Sequence, residues 1–215
     1  MKKPSSAVRG LYVLCDDDPR WSLDPARQAR AALAGGASML QLRAKRATDA
    51  QALAWAESIR ALAQAHGALF FVNDRFDLAL AAGADGVHLG QDDLAPACVP
   101  ASARERLLVG RSTHTLEQVR AARGEPVDYI AFGPIFGTTS KESAYDARGL
   151  DALAEVVRIA APRPVVAIGG IDASRAGDVV RAGAAAVCVI SAVAGARDPE
   201  GAARALVGIV AGRGA

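Results

Sequence analysis

Asp74 and Asp93 are the residues whose type and spacing first suggest chemistry. Each follows a short apolar run that reads as a β-strand: Leu69 to Val72 precedes Asn73-Asp74, and Val87 to Leu89 precedes Gly90-Gln91-Asp92-Asp93. Between them Phe76 to Ala82 reads as a helix, stopped by Gly83-Ala84. Strand, helix and strand in that order make a βαβ unit, whose parallel strands point their C-terminal ends the same way. Neighbouring strands lie ~5 Å apart, so both carboxylates can reach one small cation. Mg²⁺ suits such a pair, because it is commonly held by one or two carboxylates together with substrate phosphates. The alternative use for an Asp at the end of a strand is to cap the following helix.

Three further stretches have the makings of anion sites. In Met39-Leu-Gln-Leu-Arg-Ala-Lys45, the period of two puts Gln41, Arg43 and Lys45 on one face and Leu40, Leu42 and Ala44 on the other. The apolar face must pack against helices, which sends the polar face inward. Two inward cations are costly unless interior acids or a bound anion meet them. Arg offers planar paired donors and Lys a point charge, a combination suited to phosphate oxygens. The second stretch, Phe132 to Lys141, sets the hydroxyls of Thr138, Thr139 and Ser140 beside the Lys141 amine. It sits in a polar loop whose length and glycine content suit a lid. The third combines Gly169-Gly170 with Ile190-Ser191, where backbone N–H groups can approach a phosphate closely. His66 ends a helix, His88 lies inside a strand between Val87 and Leu89, and His114 follows a strand without a Ser-His-Asp pattern or metal-ligand spacing. None of the three is assigned a role.

These residues must be positioned by regular elements, and the chain supplies them in alternation. Strands are expected at Leu11–Cys15, Met39–Lys45, Leu69–Val72, Val87–Leu89, Leu107–Gly110, Tyr129–Phe132, Val165–Ile168 and Ala186–Ile190. Helices are expected between and after them, near Pro25–Ala34, Asp49–His66, Phe76–Ala82, Ala97–Arg106, Leu116–Arg123, Leu150–Ala160, Ser174–Ala182 and Pro199–Ala211, with Asp24 and Thr48 as caps. Gly36-Ala37, Gly83-Ala84 and Gly183-Ala184 recur as helix stops ahead of strands. The alternation predicts an α/β fold, a single-domain (β/α)8 barrel over residues 1–215, with its site on the C-terminal face of the strands. No Gly-x-Gly-x-x-Gly follows the first strand, which argues against a dinucleotide fold. With 25 basic and 23 acidic residues and a net charge of +2, no broad basic field implies nucleic acid. Three widely spaced cysteines suggest reduced thiols and a cytoplasmic protein. Neither a membrane span nor a secretory signal is expected. A homo-oligomer is compatible with the sequence.

Taken together, Gln41-Leu-Arg-x-Lys45, Asn73-Asp-Arg75, Gly83-Ala-Asp-Gly-Val-His-Leu-Gly-Gln-x-Asp93, Gly110-x-Ser-x-His114, Gly133-Pro-Ile-Phe136, Ile168-Gly-Gly-Ile171 and Val189-Ile-Ser-Ala192 resemble the thiamine-phosphate synthase family, in order and over essentially the whole chain. The resemblance implies an enzyme that joins hydroxymethylpyrimidine diphosphate to a thiazole phosphate, with Mg²⁺, releasing diphosphate. It implies that Gln41, Arg43, Lys45, Asn73, Ser112 and Lys141 hold the pyrimidine diphosphate, with Arg43, Lys45 and Lys141 stabilising the leaving group. It implies Asp74 and Asp93 as metal ligands, and Thr138, Ser140, Gly170, Ile190 and Ser191 as the thiazole phosphate site. The family usually has Thr where Ser140 stands, and the hydroxyl is retained. Two alternatives share the scaffold. A thiazole tautomerase would need a proton-transfer residue but no diphosphate site, and a phospholigand sensor would bind without turnover.

Overall fold

A computed structural model describes residues 2–137 and 145–212. Its strands are β1 (Gly10–Asp16), β2 (Met39–Arg43), β3 (Leu69–Asn73), β4 (Gly86–Leu89), β5 (Leu108–Thr113), β6 (Tyr129–Phe132), β7 (Val165–Ile168) and β8 (Ala186–Val189). All pair in parallel with their sequence neighbours, and β1 also pairs with β8, which closes an eight-stranded barrel. The helices are α1 (Pro25–Ala34), α2 (Asp49–Ala65), α3 (Phe76–Ala81), α4 (Ala101–Arg104), α5 (Leu116–Gly124), α6 (Gly149–Ala160), α7 (Ala176–Arg181), α8 (Ser191–Ala194) and α9 (Pro199–Ala211). Asp24 caps α1 by accepting from the Arg27 N–H, and Thr48 caps α2 by accepting from the Gln51 N–H, as the sequence predicts. The three repeated helix stops, Gly36, Gly83 and Gly183, all take positive φ.

Alternation along each strand divides the core in two. Leu40, Leu42, Phe70, Val72, Val87 and Leu89 face outward into the main cluster beneath the helices. Tyr12, Met39, Leu69, Phe71, Leu108 and Tyr129 face inward and fill the barrel. The inward positions change character along the strands. Apolar residues lie at the N-terminal ends and polar ones at the C-terminal ends, as in Met39, Gln41 and Arg43 on β2 or Leu69, Phe71 and Asn73 on β3. Burying each large apolar side chain contributes ~1.5–3 kcal/mol, so the lower layers hold the barrel closed while the upper rim is left for binding. Asp85 belongs to the lower end. It accepts from the Phe70 N–H at 3.0 Å and pairs with Arg60, a structural role for the Asp of Gly-Ala-Asp-Gly.

Several element boundaries differ from the sequence reading. β2 ends at Arg43, not Lys45, because the Asp17 carboxylate draws the N–H groups of Lys45, Arg46 and Ala47 into a turn at 2.8–3.0 Å. β5 runs on to Thr113, which puts Ser112 on the strand. The expected helix over 97–106 is a 3-10 turn at Pro96–Cys98 followed by the single turn of α4, since Pro96 and Pro100 each open a new segment. α7 begins at Ala176, and Ile190 leaves β8 to cap α8.

Candidate functional site

At the C-terminal mouth of the barrel the inward side chains surround a cavity of about 490 Å³. Gln41, Arg43, Lys45, Asn73, Asp74 and Asp93 line one part of it. Ser112, Gly170, Ile190 and Ser191 line the rest, so every predicted site residue among those described faces one space. Thr138, Ser140 and Lys141, with most of the loop read as a lid, lie outside the described residues.

The basic wall is built in pairs. Asp16 and Arg43 stand opposite each other across β1 and β2, and Arg43 Nη1 donates to both Asp16 oxygens at 3.1 and 3.2 Å. Asp16 is only 1% exposed, so it is a fixed countercharge that aims the guanidinium. The Arg43 Nε is buried without a hydrogen-bond partner. A bound anion would complete that donor set. Lys45, held at the rim by the Asp17 turn, pairs with Asp74.

Asp74 and Asp93 do converge, and neither caps a helix. The N-cap position of α3 is Arg75, which makes no side-chain capping bond. Asp74 takes the left-handed conformation, φ 63°, rare outside glycine, while its N–H donates to the His88 carbonyl at 2.8 Å. Asp93 is held by the Gly90 N–H at 2.7 Å. Burial and a hydrogen bond shared with Asp93 push the Asp74 carboxyl above its ordinary range, and Lys45 only partly offsets them. Two carboxylates forced together at the ends of adjacent strands are a hard-oxygen donor pair suited to a small divalent cation. Among the described residues no third His, Cys, Asp or Glu completes a ligand cluster. The remaining ligands would come from substrate and water, as Mg²⁺ prefers.

The other side of the cavity is backbone. Gly170 has φ 63°, and a Cβ there would lie 2.4 Å from the Gly137 carbonyl oxygen. Arg175, not singled out from the sequence, donates to the Gly170 carbonyl at 2.7 Å and stacks over Phe136 at 4.9 Å. It fixes the glycine turn and places positive charge behind it.

The floor carries residues that the sequence reading passed over. Gln41 Nε2 donates to Tyr12 Oη at 2.6 Å, and the Tyr12 and Tyr129 hydroxyls meet at 3.3 Å. Tyr129 Oη and His88 Nδ1 are 2.8 Å apart, as are His88 Nε2 and Ser112 Oγ. His88, assigned no role from the sequence, is a hydrogen-bonded interior histidine, and its partners include a predicted site residue. Alternation alone puts Tyr12 and Tyr129 inward, and that was the available signal. His114 Nδ1 donates to the Gly133 carbonyl at 2.6 Å and stacks on Tyr145 with ring centroids 4.3 Å apart.

A closed (β/α)8 barrel with a basic wall, a carboxylate pair and a glycine turn around one mouth defines a barrel protein whose site lies on the C-terminal face of its strands. The chain belongs to the thiamine monophosphate synthase family, whose model matches residues 11–193. It is 52% identical to the thiamine-phosphate synthase of Anaeromyxobacter dehalogenans, over 96% of this chain and 90% of that one. The thiamine-phosphate synthase of Mycolicibacterium vanbaalenii is 46% identical, with the full length of both covered. A solved thiamine phosphate pyrophosphorylase from Pyrococcus furiosus superposes with a TM-score of 0.86 at 36% identity, covering 97% of this chain and 98% of its own.

Proposed function

We propose that this barrel condenses 4-amino-2-methyl-5-hydroxymethylpyrimidine diphosphate with 4-methyl-5-(2-phosphoethyl)thiazole, forming thiamine phosphate and diphosphate. The observation that supports the reading is that the residues assigned to the two anion sites line one cavity. Arg43, Lys45 and the Asp74–Asp93 pair stand on one side, and the Gly170 turn with Ile190–Ser191 on the other. Family membership selects this reaction among those that two phosphorylated substrates could undergo. A tautomerase has no use for the diphosphate wall, and a sensor has no use for a carboxylate pair set beside it.

The chemistry asks little covalent work of the protein. The C–O bond to diphosphate breaks first, because the electron-rich aminopyrimidine stabilises the cation left on its methylene carbon. The thiazole nitrogen then forms the new C–N bond. Arg43 and Lys45, with Lys141 by its place in the family pattern, bind the diphosphate and stabilise the charge that grows on it. Gln41, Asn73 and Ser112 orient the pyrimidine, while Gly170, Ile190 and Ser191, with Thr138 and Ser140, hold the thiazole phosphate so that the nitrogen faces the carbon. Asp74 and Asp93 would hold Mg²⁺, which when bound neutralises diphosphate charge. The proposed setting is the cytoplasm. In support, Cys15, Cys98 and Cys188 are all free thiols, and among the described residues no helix is long and apolar enough to cross a membrane.

The two-sided assignment predicts separable effects in bisubstrate kinetics. Gly170→Ala forces a Cβ against the Gly137 carbonyl, and the KM for thiazole phosphate is expected to rise about ten-fold or more, the equivalent of one lost hydrogen bond to a charged group. Asn73→Ala is expected to raise the KM for the pyrimidine diphosphate instead. Equal effects of either substitution on both constants would contradict two distinct sides.

A further inference from the structure

Gln41, Tyr12, Tyr129, His88 and Ser112 form one continuous hydrogen-bond chain beneath the cavity. Gln41 Nε2 donates to Tyr12 Oη, and the one arrangement in which both phenol hydrogens then stay within the chain sends the Tyr12 hydrogen to Tyr129 Oη and the Tyr129 hydrogen to His88 Nδ1. His88 Nδ1 is then an acceptor, and the ring proton sits on Nε2, where it is donated to Ser112 Oγ. The outcome at the cavity wall is fixed at both ends. Gln41 turns its Oε1 acceptor away from Tyr12, and the Ser112 hydroxyl, occupied as an acceptor by His88, directs its own hydrogen elsewhere. One wall offers an acceptor on β2 and another a donor on β5. Those are the partners that an exocyclic amino group and a ring nitrogen require.

The fold makes room for this chain at a cost in side chains. Tyr129 lies beside Gly110 on β5, which lies beside His88 on β4. A Cβ at Gly110 would fall 2.1 Å from Tyr129 Cζ and 2.4 Å from its hydroxyl. The Tyr129 ring therefore reaches across β5 only because position 110 has no side chain, which gives the glycine of Gly110-x-Ser112 a physical reason. Phe71 packs against both tyrosine rings with centroids 5.5 Å apart and keeps them in place. Burial pushes both phenols well above their ordinary range, so the hydroxyl protons stay in the chain at all working pH values.

We propose that His88, locked as the Nε2–H tautomer by Tyr12 and Tyr129, is a positioning residue that sets the donor and acceptor pattern by which Gln41 and Ser112 recognise an aminopyrimidine. The inference rests on the proposed reaction for the identity of the ligand, but the direction of the chain is a property of the substrate-free protein. Two measurements decide it. In ¹⁵N-histidine-labelled wild-type protein, with His88 assigned by its loss in His88→Gln, the expected spectrum shows a proton on Nε2 and none on Nδ1. In Tyr129→Phe, which keeps the ring and removes only the hydroxyl, that preference is expected to collapse. The KM for the pyrimidine diphosphate should rise about ten-fold, the equivalent of one hydrogen bond, with kcat and the KM for thiazole phosphate within about two-fold of wild type. A proton on Nδ1 in the wild-type protein means the chain runs the other way and overturns the proposal, as does a folded Tyr129→Phe enzyme with wild-type constants. If the wild-type protein forms no thiamine phosphate, the reaction assignment fails by itself, and the wild-type spectrum still decides the tautomer.

Discussion

Arg43→Ala is expected to lower kcat/KM by about 10²–10³-fold and to destabilise the fold by about 3–5 kcal/mol, because one side chain serves two purposes. Toward the cavity its guanidinium is a donor set with Nε still unmatched, available to a diphosphate. Toward the barrel wall it neutralises the buried Asp16, which also accepts from the Trp21 indole N–H at 3.4 Å. Removing Arg43 leaves that carboxylate uncompensated. The two losses separate in a double variant. Asp16→Asn combined with Arg43→Ala should recover most of the stability in urea titrations, since no buried charge remains, while turnover stays at the Arg43→Ala level. Recovery of both would mean that Arg43 acts only as structural ballast.

Asp93→Asn is expected to remove the dependence of turnover on Mg²⁺ concentration and to lower the rate by about 10²-fold, the several kcal/mol that a bound metal contributes to charge stabilisation. The same substitution should stabilise the metal-free protein. Asp74 has a raised pKa in the folded state, chiefly through burial and then through Asp93. A carboxyl whose pKa is raised by folding favours the folded state at pH below its ordinary range, near 4. That advantage is lost as pH rises through the folded value. At neutral pH the metal-free carboxylate pair is therefore a liability, relieved either by Mg²⁺ or by Asn at position 93, whose amide oxygen can still accept from the Gly90 N–H. Thermal melts at pH 7 should show Mg²⁺ raising the wild-type midpoint but not that of Asp93→Asn. The metal-free variant should be the more stable of the two proteins, by a margin that shrinks as pH falls toward 4. An equal response to Mg²⁺ in both proteins would remove Asp93 from the metal site.

Much of this site is legible because a β-barrel converts sequence alternation directly into an inside and an outside. Gln41 and Arg43 follow from period two alone, and Asp74 and Asp93 follow from a βαβ unit whose strands end together. What alternation does not give is register. Asp16 sits on the expected rim, but its pairing with Arg43 depends on the alignment of β1 with β2. The Tyr12, Tyr129 and His88 chain depends on three strand alignments and on the space left by Gly110. Lys45 reaches the rim by a different route from the one expected. The alternating pattern continues through it, yet Asp17 captures the backbone and ends the strand two residues earlier. The helix expected over 97–106 failed for a local reason that was visible, since Pro96 and Pro100 interrupt it. Arg175 left no trace in any pattern, because its role is a single hydrogen bond to a carbonyl whose position only the folded loop defines.

The proposed condensation needs a pyrimidine diphosphate, a thiazole phosphate and Mg²⁺ together in one cavity. The most direct measurement incubates the purified protein with hydroxymethylpyrimidine diphosphate, thiazole phosphate and Mg²⁺, and follows thiamine phosphate and released diphosphate, with each component omitted in turn and a chelator control. Equal amounts of the two products are expected, formed only when both substrates and Mg²⁺ are present. Binding of both substrates without product, or turnover undiminished by the chelator, would contradict the proposal.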